Sequence, residues 1–116
     1  MCQIKPDLIL HLSRKWFAEI AAGRKCVEFR EKKPYWDKRI GGWLVPGIRF
    51  VEFRLGYARA QYRMLAQVGK VDVGQCPYEG WDGDYYRLRF ALVGLYWFDG
   101  ETYWPYVLKT KGEMEL

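Results

Sequence analysis

Hydrophobic and polar residues change period several times along this chain, and each change marks an element. Asp7 to Leu12, Asp-Leu-Ile-Leu-His-Leu, is a short apolar run bounded by Pro6 and Ser13, which reads as a buried strand. Ser13 then stands where an N-cap belongs, and its hydroxyl can cap a helix. From Arg14 to Ala22 the period becomes helical: Trp16, Phe17, Ile20 and Ala21 fall at i, i+1, i+4 and i+5 and build one apolar stripe. Gly23 can take positive φ at no steric cost, so it fits the C′ position that closes the helix. Beyond it Cys26 to Arg30 alternates as a strand, with Val27 and Phe29 on one face and Cys26, Glu28 and Arg30 on the other. Strand, short helix and strand in quick succession predict a helix lying across one end of a sheet.

Lys32 to Gly47 reads as a loop, marked by Pro34, the Gly41-Gly42 pair and Pro46-Gly47. Ile48 to Leu55 alternates again, with Ile48, Phe50 and Glu52 opposite Arg49, Val51 and Phe53. Tyr62 to Val73 is extended, with Met64, Ala66 and Val68 in one alternation and Val71 and Val73 after Gly69, a glycine that predicts a bulge. Residues 74–84 form a turn-rich insertion, and its Asp82-Gly83-Asp84 lacks the remaining ligands of a calcium loop, so it reads as a turn. Tyr85 to Phe98 is the longest strand signal, Asp99-Gly100 a hairpin turn, Glu101 to Leu108 the returning strand and residues 109–116 a polar tail. One helix near the N-terminus and about six strands with bends predict a single α+β domain over residues 1–116, a small barrel-like sheet with the helix packed at one end.

Composition narrows the class. At 116 residues with half of them hydrophobic and 18% aromatic, the chain can bury one core, and the composition argues against disorder. No apolar run approaches the roughly 20 residues of a membrane span, and Met1 to Asp7 lacks a signal-peptide layout, so a cytoplasmic protein without a membrane partner is expected. Cys2, Cys26 and Cys76 are odd in number and widely spaced, which argues against a disulfide framework. With His11 the sole histidine, no metal site and no cofactor are expected, and His11 reads as a satisfied strand residue. The net charge of +5 matters more for its placement. Arg24, Lys25, Arg30, Lys32, Lys33, Lys38 and Arg39 face Glu28, Glu31 and Asp37 in one segment, seven cations to three acids and a net +4. Either this is a solvated basic face, or it binds an anionic partner, nucleic acid first. Tyr35, Trp36 and Trp43 lie in this loop among the cations, where Tyr35 or Trp36 can stack on a single-stranded base while Arg24, Lys32, Lys33 and Lys38 hold phosphate; alternatively Trp36 and Trp43 pin the loop to the body.

The densest chemistry is Gly23-Arg24-Lys25-Cys26-Val27-Glu28-Phe29-Arg30, a carboxylate between two cations just after the helix. Such a group either neutralises itself while still offering hydrogen bonds to a polar ligand, or is an ion pair, Glu28 with Arg30 or Lys25, that fastens the helix to the strand. In the order strand, helix, glycine and strand, Gly23-x-Lys25-x-x-Glu28-x-Arg30 resembles the GxKxxExR signature of the ASCH domain, a relative of the PUA RNA-binding fold. The resemblance implies a PUA-like β-barrel with a cleft beside the helix, lined by Lys25, Glu28 and Arg30, with Ser13 at the helix start as a further ligand residue, and binding RNA or a modified nucleoside. Some members of that family are amidohydrolases of acetylated cytidine that carry a threonine where this chain has Glu28, so their nucleophile is missing here. Other members are ribonucleases, and by that resemblance Lys25 would stabilise a developing phosphorane charge while a tyrosine or Glu28 moves a proton, making Lys25 and Glu28 the catalytic candidates. Cys26 lacks a histidine nearby to act as base and reads as a small strand residue. A third class, a phage-type protein that binds a host protein through its basic aromatic face, completes the functional expectations.

Overall fold

The computed structural model describes residues 5–105. The tail, Cys2 and the last three residues of the expected returning strand lie outside that range. The strands are β1 (Leu8–Leu12), β2 (Val27–Glu31), β3 (Arg49–Leu55), β4 (Gln61–Gly74), β5 (Tyr85–Phe98) and β6 (Tyr103–Pro105), with helices α1 (Arg14–Ala21) and α2 (Pro34–Ile40). They build a small α+β domain around one mixed sheet. Its order is β1-β3-β4-β5-β2, with β6 also on β5. β1 runs parallel to β3, and the other pairs are antiparallel.

The alternations fix which face is inside. Leu10 and Leu12 of β1, Val51 and Phe53 of β3, Met64, Ala66 and Val68 of β4 and Leu88 of β5 are all buried. Phe17, Ile20 and Ala21 of α1 and Ile40 of α2 close the same core. The predicted bulge is present: the β4–β5 register shifts between Val68 and Val71, on either side of Gly69, and a second shift lies between Leu65 and Ala66. Such shifts bend long strands.

Three expectations change. The barrel does not close: β1 and β2 stand at opposite margins with no ladder between them, and α1 joins them along the chain. There is a second helix, α2, within the segment read as a loop. Pro34 occupies its first turn, where a missing N–H costs nothing, and Gly41-Gly42 continues into a 3₁₀ turn over Gly41–Leu44. Ser13 stands at the N-cap of α1 and its carbonyl accepts the Phe17 N–H at 2.9 Å, but its hydroxyl makes no capping bond. Among the described residues no helix is long and apolar enough to cross a membrane.

Candidate functional site

The turn after α1 is built by backbone alone. Gly23 takes φ +78°, which lets its N–H reach the Ile20 carbonyl at 3.0 Å and lets the Arg24 N–H reach that of Glu19 at 3.0 Å. These paired bonds are a Schellman motif, and they aim the chain back toward the sheet. Lys25 leaves this turn and β2 begins two residues on.

β2 alternates as expected, yet its polar side faces inward. Glu28 pairs in register with Leu88 and Arg30 with Tyr86, both on the core face of β5. Glu28 is therefore buried, at 3% exposure. Its Oε1 accepts the Lys25 ammonium at 2.8 Å, and its Oε2 accepts Arg30 Nε at 2.9 Å and Nη2 at 2.6 Å. The Lys25 side chain is 9% exposed and that of Arg30 20%. A carboxylate so far from water is tolerable because both oxygens meet cations. Phe29 points to the other face, where the Tyr78 ring covers it at 5.5 Å.

Aromatic rings frame the cluster. The Lys25 ammonium lies 4.4 Å from the Trp16 ring and 5.8 Å from that of Tyr78, distances at which a cation is held by the ring quadrupole. Tyr78 contacts Trp16 at 5.0 Å and Trp81 at 5.2 Å, and Trp81 stacks on Tyr85. On the other flank the Arg30 guanidinium sits 5.1 Å from Trp36 of α2. The cluster thus has walls from α1, from α2 and from the 75–84 segment, which wraps the margin at β2.

A second polar group seats α2 beside the first. The buried Tyr86 hydroxyl donates to Asp37 Oδ1, which also accepts the Lys32 ammonium at 2.6 Å. The Lys32 bond, and next the Tyr86 bond, hold the Asp37 carboxyl below the ordinary aspartate range, while burial first and the Asp37 bond second push the Tyr86 phenol up. A carboxyl with a lowered folded pKa stabilises the fold above its unfolded value of about 3.9, and that contribution disappears as pH falls through the folded value. Thermal unfolding should therefore show wild type losing stability below about pH 4 faster than Asp37→Asn, with the two curves converging at the acid end. Parallel curves would remove Asp37 from the acid response.

The remaining candidates divide. Tyr35 is half exposed, edge-on to Trp36 at 4.7 Å, with the Arg39 guanidinium 3.6 Å over its ring. Trp36 packs against the core, so of the two readings for the loop aromatics it takes the anchoring one while also bounding the cluster. Lys33, at the N-cap of α2, and Lys38, on the helix, are exposed. Arg24 is paired with Glu19 at 2.7 Å and Lys32 with Asp37, so part of each charge is already offset. Ser13 is exposed, and Cys26 is exposed just before β2. Among the described residues the Lys25, Glu28 and Arg30 side chains hydrogen-bond one another and no hydroxyl or thiol.

Sequence reasoning missed Trp16, Tyr78 and Trp81 as site walls. Trp16 was absorbed into the helix stripe. The signal for the other two is the aromatic content of the 74–84 insertion, Tyr78 and Trp81 among its turn residues, since turns do not need large rings. No protein-family model, no curated protein and no solved structure matches this chain.

Proposed function

We propose that the chain is an RNA-binding module of ASCH type, with a PUA-like descent for its sheet, that takes a base of single-stranded RNA, ordinary or modified, at the Lys25–Glu28–Arg30 cluster. The observation that carries this reading is the pairing of a buried carboxylate with two cations that keep unused donors: two N–H groups on Lys25 and the Arg30 Nη1. Aromatic walls flank those donors, and the rim beyond Trp36 carries exposed Lys33 and Lys38. A base needs hydrogen bonds at its edge and a ring against its face, and its neighbours need cations for phosphate. Binding is favoured over turnover because both carboxylate oxygens of Glu28 are already occupied, which leaves it poorly placed as a base.

A salt titration of binding to a mixed single-stranded RNA pool tests this. Affinity should fall steeply with salt, and Lys33→Glu with Lys38→Glu should weaken it about 100-fold at low salt while flattening the salt slope by about 1.4, roughly 0.7 for each lysine on a single strand. Unchanged affinity in that double variant would overturn the reading. RNA recovered cut, and protected by Glu28→Gln, would make the protein a ribonuclease instead.

A further inference from the structure

The sheet has a second face, turned away from both helices, and at its β1 margin it carries a built structure that the signature cluster does not use. His11 and Arg54 are register partners on β1 and β3, so their side chains leave the sheet on the same side, opposite to buried Leu10 and Phe53. His11 Nδ1 donates to the Gly56 carbonyl at 2.7 Å, and its ring stacks on Tyr57 with centroids 4.2 Å apart and planes 16° from parallel. Tyr57 is nonetheless 84% exposed, so the outer face of its ring is open.

The support beneath that ring is buried. Gln61 Nε2 donates to the Leu55 and Gly56 carbonyls at 3.2 Å each, fixing the turn that displays Tyr57, and its Oε1 accepts Arg63 Nε at 3.2 Å. Arg63 is 6% exposed and also lies 3.5 Å from Glu52, which in turn orients Arg54 through a 3.1 Å bond. Buried polar networks of this kind are costly unless every member is satisfied, and they hold their members in one geometry. Here that geometry presents a fixed ring, stacked on His11, and an oriented guanidinium from the residue in register with His11.

We propose that this face is a second contact for single-stranded nucleic acid, a base stacking on Tyr57 and an adjoining phosphate meeting Arg54. A ring with one covered and one open side, next to a cation, is the arrangement by which sequence-tolerant strands are held. An oriented guanidinium also suits phosphate better than an apolar or acidic partner. This contact is independent of the signature cluster, which lies at the opposite margin of the sheet.

The test is anisotropy of a labelled ten-nucleotide oligouridine with the full chain. Tyr57→Ala should weaken binding about tenfold with an unchanged melting temperature, and Tyr57→Phe should bind as wild type, since the ring is what stacks. Arg54→Gln should lower the salt slope by about 1. If Tyr57→Ala binds as wild type, or if no oligouridine binds at any salt, the proposal is overturned. Sensitivity to Tyr57→Ala in a protein whose affinity ignores Lys33→Glu and Lys38→Glu would sustain this contact while removing the signature cluster from RNA binding. A Tyr57→Phe variant as weak as Tyr57→Ala would also overturn it, because the hydroxyl rather than the ring face would then be the contact.

Discussion

Glu28→Ala is expected to lower the unfolding free energy by about 3 kcal/mol, the lower end of the range for removing one partner of a buried ion pair. The cause is not the lost attraction itself. Alanine would leave Lys25 and Arg30 side by side against the core face of β5, with their donors unpaired. Their residual exposure, 9% and 20%, lets some water reach them and sets the value at the lower end. The combined variant Lys25→Met, Glu28→Leu and Arg30→Met should recover most of that loss, because an apolar cluster of similar volume needs no partners. Its RNA affinity should not recover. Urea unfolding of the two variants separates these terms, and a Glu28→Ala shift below about 1 kcal/mol would mean that the cluster behaves as a surface pair.

Trp16→Ala should cost about 2 to 3 kcal/mol, less than for a fully buried tryptophan because Trp16 is only partly covered. Its more specific effect is on the 75–84 segment. Tyr78 and Trp81 both rest on Trp16, and the backbone hydrogen bonds of that segment include few beyond Trp81 N–H to Tyr78 and the tie from Lys32 N–H to Asp84. Without the ring, 75–84 should exchange its amides and be cut by protease well before β4 and β5 open. Uniform loosening of the whole chain would instead show that the segment is held by its own turns.

The elements with clean punctuation were legible in the sequence. Ser13 and Gly23 bound α1, the alternation of β4 grouped Met64, Ala66 and Val68, which are buried together, and Gly69 announced a bulge. Glu28 and Arg30 were correctly paired on one face of β2. That this face points into the core was not legible, because alternation reports two sides without saying which neighbour covers each. The inward turn follows from β5, whose Leu88 and Tyr86 stand opposite, and from Tyr78, which covers Phe29 from outside. α2 was lost because Pro34 and Gly41-Gly42 signal a break in isolation, whereas proline at a helix start and glycine just past its end are the two places a short helix accepts them. The buried Glu52 and Arg63 were hidden for a related reason: each is polar by type and becomes interior through partners on other strands.

The eight residues of α1 have a mechanical consequence. They are the chain's direct link between β1 and β2, the two margins of the sheet, and so act as a clasp across it. Breathing at either margin must slacken the clasp, and with it the turn that carries Lys25. The converse also holds, since anything that binds the closed form in preference to the open one stabilises all that closure requires. A base seated between Lys25 and Arg30 would therefore quiet β1 as well as β2, although it touches only one of them.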